Sequence, residues 1–488
     1  MTKELRRLTT IVILMFLTLF ASTSVIQAVS ADELAKNPNN KRTLYDSFEV
    51  QRGSIIAGGD EIATSSPSDD VYAWQRSYTD AAMWAPVTGY LNPVLQSATG
   101  LESKMTQELS GTGSSAAFAR LERVLTGQDP KGSSVKTSLD PDVQRAAYEA
   151  MTNAGYTGGV VAIEPSTGRI LAMVSTPSFD TNKLAVHDSD ATNVAYEQLK
   201  ADSGRPMLNR AIGGDLNAPG STFKLVVASA ALESGDFTAD SKLPNPATYT
   251  LPGTSTNIHN AGRGTCGSGD KVTIADALRL SCNIPMAELA VKVGDDAIRE
   301  QAEKFGFNSD FELPLNATTS VYPTDELSDD RTALTGYGQG DVIATPLQIA
   351  MVTAGIANGG TVMNPTMVDQ VISPDLSVLS ETQPSAFGQA LDSGVADEMV
   401  SLMTSNVSNG VASNARIDGV DVGGKTGTAE NGDGQPYSLW FTGFAPSDDP
   451  QVAVAVVVED GGGQGQSGSG NAIAAPIAKQ VMEAVLNK

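Results

Sequence analysis

The balance of apolar and polar positions changes character three times along the chain. Residues 8–31 carry no charge, and the stretch 11–21, IVILMFLTLFA, is strongly apolar. Placed behind Lys3, Arg6 and Arg7, that stretch fits the hydrophobic region of a signal peptide. The full uncharged run is long enough for a membrane-spanning helix. Val29-Ser30-Ala31 offers a cleavage site. Either reading exports the remaining chain, because positive charge ahead of the run holds the N-terminus in the cytoplasm. Residues 32–133 then alternate short strand signals with turns, as in QRGSIIAGGDEIATS at 51–65, and end in the linker-like QDPKGSS at 128–134.

From residue 134 to 488 the periodicity sharpens. Asp140-Pro141 opens a helical pattern that stops at Gly155. Two apolar runs within 158–177 flank Pro165-Ser166-Thr167-Gly168, which predicts a hairpin. Helical spacing follows Pro219-Gly220 as far as Gly235, and two further helical patterns meet at Ser281-Cys282-Asn283. Thr345-Pro346-Leu347-Gln348 has the form of a capping box with proline at the first helical position. Apolar β-rich runs return at 439–446 and 451–460; GGGQGQSGSG at 461–470 reads as a flexible loop, and 471–487 as a closing helix. Strands first, helices in the middle, then strands and a helix predict an α/β domain of the α+β type, its sheet joining distant chain segments.

Composition narrows the chemistry. The 488 residues carry a net charge of −24, and residues 1–31 hold three basic side chains and one acidic, so the exported part carries −26. Such a surface repels nucleic acid and anionic lipid, and no basic cluster offsets it. The two histidines, His187 in VHDSD and His259 in TNIHN, lie in polar stretches and read as surface-loop residues. A zinc site needs several ligands of the right kind, and a Ser-His-Asp triad needs a well-placed histidine. Hydrolysis or acyl transfer here is therefore expected to proceed without histidine, metal or cofactor.

Three short clusters remain. Residues 419–426, GVDVGGKT, fit the phosphate-loop pattern G-x-x-x-x-G-K-[ST]. That loop must open a helix, yet GTAENGDGQP follows, rich in Gly, Asn, Asp and Pro, so a strand ending in a turn is expected instead. In PGSTFK, Ser221 and Lys224 stand three apart at the start of a helical run and share one face, which makes Ser221 a candidate nucleophile beside an amine. The lysine can serve as base only if burial and a second cation lower its pKa. Ser221 reads equally well as an ordinary N-cap. Ser281 and Asn283, on a tight turn between helices, read equally as a turn and a cap.

Taken together and in this order, Ser-x-x-Lys, Ser-x-Asn and Lys-Thr-Gly form the signature of penicillin-binding proteins and class A β-lactamases. GGVVAIEPSTGRILAMVSTPSFDTN, GYGQGDVIATPLQIA and WFTGFAP also resemble segments of that family, so the resemblance spans residues 134–488. QRGSI resembles the start of the pedestal domain in class B members, although AGG stands where an acidic-Arg-Asn sequence is usual. The space before residue 134 is too small for a glycosyltransferase domain, which argues against the bifunctional class A.

The resemblance implies a membrane-anchored peptidoglycan D,D-transpeptidase that acts on stem peptides ending in D-Ala-D-Ala and is acylated by β-lactams. It implies Ser221 as nucleophile, Lys224 as its base and Ser281 as proton relay. Asn283 is implied to hydrogen-bond substrate or Lys224, and Lys425 to supply positive charge. Thr426 and Thr428 are implied to hold the terminal carboxylate, with the backbone N–H groups of Ser221 and Thr428 as oxyanion hole. Gly427 is expected to let the substrate backbone approach. A membrane glycosyltransferase of the shape, elongation, division and sporulation family is the implied partner. Cys266 and Cys282 are a candidate disulfide, the alternative being two buried thiols. A β-lactamase, a D,D-carboxypeptidase and a non-catalytic wall-assembly scaffold stand as rival functions.

Overall fold

The helix Thr2–Ser24 has its apolar side chains exposed along its length, and its segment Lys3–Ser24 is long and apolar enough to cross a membrane. The structure, a computed structural model, describes residues 2–26, 30, 48, 50–112, 131–214 and 216–487. Val29 and Ala31 of the expected cleavage site, and residues 128–130 of the expected linker, lie outside the described residues.

The hairpin and the two late apolar runs assemble into one five-stranded antiparallel sheet. Its strands are β1 (Gly158–Ile163), β2 (Ile170–Thr176), β3 (Gly423–Ala429), β4 (Ser438–Ala445) and β5 (Val452–Val458), in the order β3-β4-β5-β1-β2. Helices cover both faces. Residues 452, 454, 456 and 458 of β5 enter the core under the helices Pro141–Thr152 and Ala474–Leu486, whereas 453, 455 and 457 enter the core on the other face, with the helix Pro346–Ala357. Burial on both sides explains why β5 reads as an unbroken apolar run rather than an alternating one. β3 lies at the sheet edge, so one side of its backbone is free of strand partners.

A second sheet has six strands, in the order Val378–Glu381, Val368–Ile372, Ser134–Thr137, Ile55–Ala57, Asp60–Pro67, Trp74–Tyr78. It crosses residue 134: the strand that opens the expected catalytic domain pairs with Ile55–Ala57 on one side and with Val368–Ile372 on the other. The AGG sequence closes the turn between Ile55–Ala57 and Asp60–Pro67. Gly58 has φ +58° there, and a Cβ at this position would lie 2.4 Å from the Pro141 ring. Arg52, from the QRGSI segment, is buried and donates to the carboxylate of Glu102 at 3.0 Å; Arg76 donates to the same carboxylate at 2.5 Å.

Three local readings differ from the outcome. Thr345 caps its helix through Gln348 N–H at 3.1 Å, but the reciprocal bond of a capping box is absent. Gln348 donates instead to Phe305 O, and Thr345 N–H to Ser320 Oγ, because this helix start is buried and tertiary partners are at hand. The glycine-rich segment 461–470 is pinned at its ends rather than free throughout: a Cβ at Gly470 would sit 2.2 Å from Trp440 O and 2.5 Å from Gly427 O, and Gly461 N–H donates to Tyr437 O, while 463, 464, 466 and 467 are exposed. The helix after Ser221 also starts later than its spacing predicts. Ser221 lies in a 3-10 turn, Gly220–Thr222, and the α-helix is Lys224–Glu233.

Candidate active site

The turn that carries Ser221 is held by three hydrogen bonds. Gly220 adopts φ +53° and donates its N–H to Gly338 O at 3.0 Å. Gly338, at φ +73°, must itself be glycine, because a Cβ there would lie 1.9 Å from Gly220 O. Trp440 Nε1 donates to Ala218 O at 3.0 Å, and Thr222 Oγ1 to Pro219 O at 2.8 Å. The helix Lys224–Glu233 that follows is buried on every face from Lys224 to Leu232, so it runs through the core and carries its lysine inside.

Lys224 is fully buried. Its Nζ donates to Ser281 O at 2.8 Å and to Asn283 Oδ1 at 2.9 Å. Burial, and after it the charge of Lys425, holds this amine well below the ordinary lysine range. Lys425, also buried, donates from Nζ to Ser281 Oγ at 2.6 Å and to Thr426 O at 3.0 Å. Burial pulls its pKa down to about 7. Among the described residues no carboxylate bonds either amine. A neutral amine has two hydrogens and one lone pair. Both hydrogens of Lys224 are committed to Ser281 O and Asn283 Oδ1, so the lone pair is left to accept a proton.

Ser281 stands between the helices Ile274–Arg279 and Ile284–Val293 at φ +57°, the left-handed region. This places its carbonyl on Lys224 and its hydroxyl on Lys425. Asn283 occupies the N-cap position of the second helix yet makes no capping bond with its side chain. Its carboxamide accepts from Lys224 and donates to His259 O at 3.1 Å, so it serves the site rather than the helix. Asn260 bonds the backbone amides of Asn283 and Ile284 in its place. Cys266 and Cys282 are joined in a disulfide, which ties the loop after Asn260 to the residue between Ser281 and Asn283.

The segment KTGT lies on β3 and opens no helix, which removes the phosphate-loop reading. Thr426 is buried and Thr428 half-buried. The backbone of Thr428 passes the nucleophile turn closely, with its C and O each 3.0 Å from where a Cβ on Gly220 would stand. Gly427 has a packing reason as well. Its missing Cβ makes room for Pro219 O at 3.0 Å and Trp440 Cβ at 2.9 Å, the protein's own packing. Ser221, Lys224, Ser281, Asn283, Lys425, Thr426, Gly427 and Thr428 therefore converge where β3 meets the start of one helix and the turn before another. His187 lies apart, paired with Asp70 of the Asp60–Pro67/Trp74–Tyr78 hairpin. His259 meets the site only through its carbonyl, its ring nitrogen facing Thr248 and Ala247 O. Sequence reasoning missed Asn260, Gly338 and Trp440. Asn260 left a trace in the Asn-rich stretch around His259, and Gly338 and Trp440 lie in the family-like segments GYGQGDVIATPLQIA and WFTGFAP without a role being legible there.

The chain that places a buried amine pair, a serine turn and a strand-edge KTG side by side also matches known proteins. The penicillin binding protein transpeptidase domain matches residues 158–483, and the penicillin binding protein A dimerisation domain matches residues 52–135. The chain belongs to the penicillin-binding protein transpeptidase family. Peptidoglycan D,D-transpeptidase PbpA of Mycolicibacterium smegmatis is 39% identical across the whole of both chains. The protein of the same name from Mycobacterium tuberculosis is 37% identical, over all of this chain and 99% of its own length. Penicillin-binding protein A from M. tuberculosis, solved as a ceftriaxone acyl-enzyme complex, superposes with a TM-score of 0.86 at 37% identity, covering 91% of this chain and all of that one. Its penicillin G acyl-enzyme complex superposes with a TM-score of 0.84 over 90% of this chain and all of that one, also at 37% identity.

Proposed function

We propose that this member of the penicillin-binding family cross-links peptidoglycan stem peptides as a D,D-transpeptidase, with Ser221 as nucleophile and Lys224 as its base. The observation that carries the assignment is the state of Lys224: fully buried, depressed in pKa, and with both hydrogens of its neutral form engaged. In the first half-reaction Ser221 Oγ bonds to the carbonyl carbon of the penultimate D-alanine, and its proton passes to Lys224 Nζ. The C–N bond to the terminal D-alanine then breaks. The leaving nitrogen takes a proton from Ser281 Oγ, which is replenished through its 2.6 Å bond from Lys425. In the second half-reaction an amine of a neighbouring stem bonds to the acyl carbon, its surplus proton returns through the same groups, and Ser221 regains its hydroxyl. A β-lactam enters the first half-reaction only.

The backbone N–H groups of Ser221 and Thr428 form the oxyanion hole in this reading; losing one such donor costs about 3 kcal/mol of barrier. Thr426 and Thr428, with the charge of Lys425, hold the terminal carboxylate. Residues 32–133 serve as a non-catalytic pedestal for the catalytic domain 134–488. The apolar helix anchors the protein in the cell membrane with its catalytic part outside the cytoplasm, and a membrane glycosyltransferase of the shape, elongation, division and sporulation family supplies glycan. Co-purification with such a partner that persisted without residues 1–112 would refute that contact.

The experiment for the site follows intact mass over time, with chain lacking residues 1–31 and benzylpenicillin. A lasting adduct mapped to Ser221, absent in Ser221→Ala, is expected. Rapid loss of the adduct with hydrolysed drug accumulating would point to a β-lactamase. No adduct in folded protein would overturn the enzymatic reading.

A further inference from the structure

Asn283 holds a position where an asparagine normally caps its own helix. The helix Ile284–Val293 leaves its first N–H groups without intrahelical partners, and Asn is among the preferred residues to satisfy them. Here the side chain is elsewhere, on Lys224 and His259 O. A capping side chain bonds the N–H of the second or third helical residue, and the second here is Pro285, so the amides of Asn283 and Ile284 need an acceptor from elsewhere. Asn260 supplies it: its Oδ1 accepts from Asn283 N–H at 2.9 Å and from Ile284 N–H at 3.0 Å. Its Nδ2 donates to Gly264 O at 2.9 Å, which sets the carboxamide's orientation, and Asn260 is 7% exposed. A residue 23 positions upstream thus anchors the backbone on both sides of the Asn283 side chain.

We infer that Asn260 is a positioning residue for the proton-transfer machinery: by holding the Asn283 and Ile284 amides, it fixes the backbone from which the Asn283 carboxamide reaches Lys224. This rests on the reading of Lys224 as the base. The physical choice is between two states of Asn283. With Asn260 in place, its side chain points at the amine. Without Asn260, two buried donors lose their acceptor, and the Asn283 backbone turns to regain one. That rotation would take Oδ1 from Lys224 Nζ, leave a hydrogen of the amine without its partner and let the lone pair turn away. The disulfide holds the same loop at a second point, so loss of Asn260 need not release the loop.

The test is the acylation rate constant with benzylpenicillin, separated from non-covalent affinity by varying drug concentration, in wild type, Asn260→Ala, Asn260→Asp, Asn283→Ala and the double alanine variant. Wild-type protein must first acylate at Ser221; if it does not, the functional reading fails and not the positioning role alone. Asn260→Ala is expected to slow acylation about 10²-fold, with affinity little changed. In the Asn283→Ala background the same change is expected to cost less than about threefold, because both act through one bond. Asn260→Asp keeps the double acceptor and is expected to fold and recover most of the rate; its new charge near Lys224 should move the acid limb of the pH–rate profile upward. Folded Asn260→Ala acylating within about twofold of wild type would overturn the proposal, as would additive losses in the double variant. Should the alanine variant not fold, an aspartate variant that folds but stays as slow as Asn283→Ala would overturn it equally.

Discussion

Two clusters of charged side chains are buried in this molecule, and they meet burial in opposite ways. Near the N-terminal sheet, Glu102 is shared by Arg52 and Arg76. Burial pushes the Glu102 carboxyl up, but Arg76 and then Arg52 outweigh it, and its pKa ends below the ordinary value. That carboxylate keeps its charge and cross-links three chain segments. Around Ser281, two amines are buried with hydrogen-bond acceptors but no opposite charge, so burial drives both pKa values down. Similar burial therefore yields a charged structural tie in one place and amines easily stripped of their charge in the other. What separates them is the sign of the partner.

The comparison can be broken most sharply at Lys224. Lys224→Ala should lower the acylation rate by about 10³-fold, the worth of a general base, while folding is retained; a loss under tenfold would remove it from the proton path. Glu102→Ala should act the other way around. Two buried guanidiniums lose their counter-charge, and stability should fall by about 3–5 kcal/mol in denaturant titration, with acylation by the folded fraction unchanged. A shift below about 1 kcal/mol would mean the cluster is not a tie.

Lys425→Met should do what Glu102→Ala does not: raise stability, by about 1–4 kcal/mol at neutral pH, while acylation falls. The sign follows from the proton count. Lys425 titrates at about 7 in the native protein and near its ordinary 10.5 when unfolded. Between those values the unfolded chain binds the proton and the native chain does not, so this residue makes stability rise with pH from about 7 upward. Stability curves at several pH values should show that slope in wild type and its flattening in Lys425→Met. Equal slopes would show that Lys425 keeps its charge in the fold. The smallest effect expected is kinetic. As Lys425 loses its proton above about pH 7, its pull on a substrate carboxylate and its effect on Lys224 both fade, so the acylation rate should decline there. A rate still rising through pH 8.5 would contradict this.

The chemistry was legible because its motifs are local. Ser221 and Lys224 need only three positions of chain, and Ser281 with Asn283 only a turn between two helical patterns. The hairpin around residues 165–168 and the helix after Asp140 were legible for the same reason, periodicity and turn residues being properties of neighbours. The six-stranded sheet was not, because strands 55–57 and 368–372 meet through a partner, 134–137, that no local pattern links to either. Nor could an asparagine at an N-cap be told from an asparagine on a lysine, since the competing acceptor comes from residue 260.

By itself, then, the sequence determined the apolar N-terminal segment, the strand and helix content of the catalytic half, the absence of a phosphate loop and the set of residue types able to perform acyl transfer. Only the tertiary structure decided the depressed pKa of Lys224 and Lys425, the acceptor that anchors the Asn283 backbone, the packing at Gly427 and the pairing of Glu102 with two arginines. The division has one cause. Residue type and local spacing are written along the chain, whereas desolvation and the sign of a neighbouring charge depend on what folding brings within a few ångströms.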